Sequence, residues 1–291
     1  EVNGRPIVSV EKGLEKAGAI ITTKGWLDRY DRAASEAARA YFDQLPDGYR
    51  PWQMGAYRPP LTIPLQDGDL GASDGDCAIY VLARNAGEGA DRTCTPGDYY
   101  PSDEETAFLR ALCDHYAHVV VLLNVGGVMD TTFLRAQRGI DAVLLMGQPG
   151  CAAGDAVADL LSGAVTPSGR LSATWAERYE DYPYADLFPS VSGEKDDVWY
   201  QEGVYVGYRW YETADAEGYW DSVSNAYGQG YEGVVAYPFG YGLTYGDCSV
   251  EAFSADRDLA TVTVANNGRC DTDEVLELYR SEEHTSELQS H

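Results

Sequence analysis

The sequence predicts an α/β fold: a mostly parallel sheet with helices on both faces, followed by a truncated β-sandwich. Three observations carry that expectation. Short, almost wholly apolar runs at residues 77–83, 118–124 and 141–146 alternate with helix-length amphipathic stretches. Strands that are apolar on both sides are buried on both faces, as in parallel sheets flanked by helices. From about Cys248 the pattern changes to strict alternation, with TVTVA within residues 260–265 and EVLELY at residues 274–279. That period of two belongs to antiparallel strands with one solvated face.

The elements follow in order. Residues 8–16 read as a short helix, and Gly18 supplies its stop before a strand at residues 19–22. Residues 26–45 carry helical apolar spacing through Leu27, Tyr30, Ala34, Ala37, Ala38 and Tyr41. A Pro/Gly/Asp-rich loop at residues 46–76 leads into the strand at 77–83. The next helix, residues 102–116, opens on Ser102 and Glu105, a capping box in which each side chain satisfies an orphan backbone donor. The apolar strands at 118–124 and 141–146 follow, then a helix at 152–161 that stops at Gly163. The triplet Asn266-Asn267-Gly268 reads as a turn joining two strands of the sandwich.

Composition narrows the function. Forty-seven acidic against 21 basic residues give a formal net charge of −26 over 291 residues. Such a surface repels phosphate backbones and anionic lipid, which argues against nucleic acid and membrane-surface partners and suits a neutral ligand. No apolar run approaches the roughly 18 residues of a membrane span. Six scattered cysteines form no C-x-x-C pair, a usage that suits reduced thiols and a cytoplasmic setting. His115 and His118 have no partner at metal-ligand spacing, so neither metal nor cofactor is expected. The glycine loop at 147–154 lacks the lysine and Ser/Thr of a P-loop and reads as close strand–helix packing. The chain opens Glu-Val-Asn, with neither methionine nor signal pattern, so its natural N-terminus is expected upstream and export stays open.

The sharpest chemistry lies in the loop after the strand at 77–83, Arg84-Asn85-Ala86-Gly87-Glu88-Gly89-Ala90-Asp91-Arg92. In a parallel α/β sheet, ligands bind outside the carboxyl ends of the strands. Gly87 and Gly89 flank Glu88, and Arg84, Asp91 and Arg92 are available to brace it. A carboxylate so placed can serve as a general acid toward a glycosidic oxygen. The alternative is a Gly-rich turn whose acids pair with neighbouring arginines, and chemistry alone favours it.

A resemblance reverses that weighting. ARNAGEGADRTCTPGDYYPSDEE (residues 83–105) is similar to the S-R-x-x-G-E-G-x-D-R…G-D-x-x-L-S-D-E segment of glycoside hydrolase family 3 β-glucosidases. Four more motifs follow in that family's order: VVVLLNVGGVMD (119–130), ADLLSGAVTPSGRLSATW (158–175), YQEGVYVGYRWYE (200–212) and YPFGYGLTY (237–245). The resemblance implies a retaining glycosidase acting on a terminal β-linked sugar of an oligosaccharide or aryl glycoside. Glu88 would be the acid/base, supported by Arg84, Asp91, Arg92 and Asp98, while the nucleophilic Asp lies in a separate (β/α)₈ barrel. Retention needs two carboxyl groups roughly 5–5.5 Å apart, so this segment alone holds half an active site. Ala152 stands where the family commonly has Glu, and the usual Gly-Ser-Gly loop would fall just before Glu1. The opening segment looks closer to members whose barrel follows the β-sandwich.

The expected division is residues 1–246 for the α/β sandwich domain and 247–279 for the start of a fibronectin-type-III-like domain. Residues 280–291, RSEEHTSELQSH, resemble an in-frame translation of a DNA sequencing adapter and are expected to be an artefact. The aromatic run at 200–212 reads equally as a sugar platform or as core packing in which Glu202 pairs with Arg209. A non-catalytic carbohydrate-binding or scaffolding module is the alternative to an enzyme.

Overall fold

The computed structural model describes residues 6–45, 59–71, 77–85, 92–187, 197 and 200–279. Strands β1 (Cys77–Ala83), β2 (His118–Asn124) and β3 (Ala142–Leu145) form a parallel sheet in that order. The register sets Cys77 against His118 and Ala83 against Asn124, so β1 and β2 end level. Helix α3 (Asp103–His115) crosses from β1 to β2, and the short α4 (Thr132–Ala136) lies between β2 and β3. One sheet face presents Ala78, Tyr80, Leu82, Val119, Val121 and Leu123, and packs on Leu109 and Leu112 of α3. Those positions repeat every second residue, as a pleated strand requires. Val143 and Leu145 of β3 share that face through their register with Val121 and Leu123 but stay 44% and 38% exposed; on the opposite face Val81 is 38% exposed, while Leu122 is fully buried.

The capping box of α3 is complete. The Ser102 hydroxyl accepts from the Glu105 amide at 3.2 Å, and the Glu105 carboxylate accepts from the Ser102 amide at 2.8 Å. Helices α1 (Val10–Lys16) and α5 (Ala153–Ser162) cross where Gly13 meets Gly154. A Cβ on Gly13 would overlap the Gly154 carbonyl, and one on Gly154 would overlap that of Ser9. The Val8 amide donates to Cys151 O at 2.8 Å and the Gly154 amide to Val8 O at 3.0 Å. The glycine at 154 therefore serves helix–helix contact, not the strand–helix packing expected for it. Gly163 closes α5 in the left-handed conformation, as its position after the last apolar residue predicts.

Three further sequence expectations need correction. Residues 19–22 form no strand, because the Ala19 amide is bound to Leu14 O at the end of α1 and Ile20 faces solvent. Helix α2 (Lys24–Phe42) begins almost at once, and its Trp26 packs on Tyr30 and Phe108. The aromatic run yields helix α6 (Tyr208–Ala216), which buries Tyr211 and Ala214 in a second core with Trp220 and Val234. Arg209 lies over the Tyr208 ring, not against Glu202. This core includes an antiparallel pair, β4 (Trp175–Ala176) with β5 (Val235–Tyr237), that the sequence did not announce. Arg135 of α4 ties the two cores together by gripping the buried Glu177 carboxylate between the rings of Tyr227 and Tyr237.

The third correction concerns the C-terminal strands. β6 (Cys248–Ala255) pairs antiparallel with β7 (Ala260–Asn266), with a bulge between Val250 and Ala252. The turn at 266–268 closes back on Asp247, whose carbonyl takes the Asn267 amide at 2.8 Å. Residues 274–279 form no strand and pair with none among the described residues; Glu274 instead binds Arg170 at 2.5 Å, and Tyr279 meets the edge of Tyr208. The loop expected at 46–76 is described only at 59–71, where it holds neither helix nor strand. The tail at 280–291 lies outside the described residues.

Candidate active site

The carboxyl end of β1 delivers Arg84 into a buried polar knot. Its guanidinium binds Glu105 with two parallel hydrogen bonds of 2.7 and 2.9 Å, both side chains 2% exposed. Its Nε donates to the Asp98 carbonyl at 2.6 Å, and one terminal nitrogen also reaches Ala83 O at 2.9 Å. A buried pair of this kind is stable only when its remaining donors find acceptors, and here they do. Glu105 can reach Arg84 because the capping box holds its side chain back toward the helix start.

Arg92 returns the chain to the same place. It donates to the Asp98 carboxylate at 2.7 Å, to the Asp98 carbonyl at 2.9 Å and to Val128 O at 2.7 Å. One backbone oxygen, that of Asp98, thus receives an arginine from each end of the loop. The Asp98 carboxylate also accepts from the Thr93 amide at 2.7 Å. Burial pushes the Asp98 carboxyl up, but the Thr93 amide and the Arg92 guanidinium outweigh it and hold the group below the usual carboxylate range.

Of the residues singled out from sequence, Arg84, Arg92 and Asp98 are therefore in contact, while Glu88 and Asp91 lie outside the described residues. Glu105 is the member that sequence reasoning missed. Its capping role accounted for it fully, and only a surplus of acids in the first turn of α3 (Asp103, Glu104 and Glu105) hinted at a second duty. Beside the knot a cleft of about 240 Å³ opens at the carboxyl edge of the sheet. His115 binds Gly71 O and His118 faces Asp141. Among the described residues no cluster of three or more His, Cys, Asp or Glu side chains could hold a metal, and no helix is long and apolar enough to cross a membrane.

The profile of the glycosyl hydrolase family 3 C-terminal domain matches residues 5–208. The chain belongs to glycosyl hydrolase family 3. It is 32% identical over 290 aligned residues to β-glucosidase A of Butyrivibrio fibrisolvens, covering 84% of this chain and 32% of that protein. A β-glucosidase of Ruminococcus albus is 31% identical over 96% of this chain and 27% of its own length. Among solved structures, a β-glucosidase from Paenibacillus barengoltzii superposes with a TM-score of 0.66 at 29% identity, over 90% of this chain and 27% of that one. β-Glucosidase 3B from Thermotoga neapolitana, in complex with glucose, gives 0.64 at 26% identity, over 92% and 35%. The family 3 segment described above thus spans about a third of the relatives it matches.

Proposed function

We propose that this chain is the acid/base-bearing part of a retaining β-glycosidase that removes terminal β-linked sugars, with Glu88 as general acid and then general base. The observation that carries the reading is the double anchoring of the Glu88 loop. Arg84 and Arg92 reach one carbonyl, that of Asp98, at the carboxyl edge of a parallel sheet. The family membership adds the reaction class, since the relatives it matches are β-glucosidases. Arg84, Arg92, Asp98 and Glu105 touch no substrate in this reading and support the loop, and Asp91 belongs with them. The nucleophile comes from the barrel domain of the complete polypeptide. The residues after Cys248 start a fibronectin-type-III-like domain.

The chemistry then runs in two steps. Protonated Glu88 gives its proton to the departing glycosidic oxygen while the barrel carboxylate attacks the anomeric carbon. The resulting Glu88 carboxylate takes a proton from the water that releases the sugar. The test is Glu88→Ala in the complete polypeptide. Cellobiose turnover should fall on the order of 10²–10⁴-fold, the usual loss of an acid/base. Aryl glycosides with good leaving groups should lose less in the first step, and azide should rescue the second. The 291-residue chain by itself should show no turnover above its Glu88→Gln variant. Intact cellobiose turnover in Glu88→Ala, with Asp91→Ala abolishing it, would move the acid elsewhere on the loop.

A further inference from the structure

Three neutral carboxamides line one cleft at the carboxyl edge of the sheet, each at or just past the end of a strand of the parallel set. Asn85 follows β1, Asn124 is the last residue of β2, and Gln148 stands just after β3. All three line the cleft of about 240 Å³, whose far wall is the apolar pair Pro59 and Leu61. The charged groups on its floor are already engaged. Every Arg84 donor faces Glu105 or a carbonyl, and both Asp98 oxygens accept from Arg92 and Thr93. The side-chain amides of Asn124 and Gln148, in contrast, make no hydrogen bond among the described residues.

That arrangement selects a ligand class. A carboxamide offers both a donor and an acceptor, which suits a hydroxyl that must do the same. It offers no net charge, and a chain of net charge −26 repels phosphate and carboxylate ligands further. At ~30 Å³ of liquid volume each, about eight waters would fill the cleft, room for one sugar ring and too little for two. The apolar wall adds a surface for the C–H face of such a ring. Gly126 fixes where Gln148 lies: a Cβ there would sit 2.9 Å from the Gln148 carboxamide and push it out.

We infer that Asn85, Asn124 and Gln148 form a subsite for the hydroxyls of one neutral sugar unit of the substrate. The inference rests on the glycosidase reading, yet the two fail separately, because sugar binding here requires no Glu88 chemistry. The experiment titrates the ¹⁵N-labelled 291-residue chain with D-glucose and follows the side-chain amide resonances of Asn124 and Gln148. We expect both to shift, with a Kd on the order of millimolar. The Asn124→Ala/Gln148→Ala variant should bind roughly tenfold more weakly, the equivalent of two lost neutral hydrogen bonds. Gly126→Ala keeps all three amides but displaces Gln148, and should weaken binding severalfold; it carries the test if the double variant does not fold. Inorganic phosphate should leave the same resonances in place. Unmoved amide resonances at saturating glucose, undiminished binding by both variants, or displacement of glucose by phosphate would each overturn the inference.

Discussion

Replacing Glu105 with glutamine removes one charge and almost no volume from the buried knot around Arg84. The carboxylate now accepts from two Arg84 nitrogens, at 2.7 and 2.9 Å, and its Oε2 also accepts from the Ser102 amide at 2.8 Å. Glutamine brings one acceptor and one NH₂ group, and every neighbour of the two positions is a donor. Its best orientation puts the NH₂ where Oε1 stands, against a single guanidinium nitrogen, and keeps the oxygen for the other two contacts. The arginine is then buried with half its partner and no counter-charge. Breaking a buried pair in this way costs about 3–5 kcal/mol, and the surviving acceptor places this case near 3. For a domain of this size that lowers the melting temperature by about 6–12 °C. Urea and thermal unfolding followed by circular dichroism would measure it. The Arg84→Met/Glu105→Leu variant should recover most of the loss, because it leaves no unpaired charge. A Glu105→Gln effect under about 1 kcal/mol, the worth of a solvated surface pair, would refute the reasoning.

Other expectations follow from the same geometry. The Asp98 carboxyl lies below its ordinary value of 3.8 in the folded chain, so its tie to Arg92 and Thr93 stabilises fully above that value and is lost as pH falls through the lower, folded one. Asp98→Asn should therefore flatten the acid limb of a stability–pH profile, and an unchanged limb would assign acid unfolding to other groups. Gly13→Ala should destabilise by about 1–3 kcal/mol or more through overlap with the Gly154 carbonyl, read by chemical denaturation. A neutral result would mean that α1 shifts off α5 freely. For the C-terminal tail, genomic sequencing across codon 280 should replace the codons of residues 280–291 with others, and recovery of the same codons would make the tail natural.

The parts of this fold legible in the sequence are those where one local signal sufficed. β1 and β2 declared themselves by unbroken apolar runs, and α3 by a capping box whose two hydrogen bonds both form. β4 and β5 span only two and three residues, too short for any period to show. The C-terminal hairpin misled for a different reason. The bulge at Val250 and Ala252 breaks the alternation of β6, the true partner of β7, while residues 274–279 alternate cleanly without pairing. Arg84 and Arg92 could be marked as braces, but their shared target could not. It is a backbone oxygen, and backbone groups leave no trace in residue identity. Glu105 was hidden by having an adequate local explanation.

The shared anchor at Asp98 bears on how such a segment can diversify. Residues 85–91 run between two points held by contacts outside them, since both arginines grip the Asp98 turn that follows Arg92, and Arg92 also binds Val128 O. The entropy of loop closure grows only logarithmically with loop length, so doubling those seven positions would cost only about 0.6 kcal/mol. Tip sequences could be lengthened, shortened or exchanged between relatives while Arg84, Arg92 and the Asp98 turn hold the ends. The segment is a natural cassette for grafting, with its splice points written at residues 84 and 92.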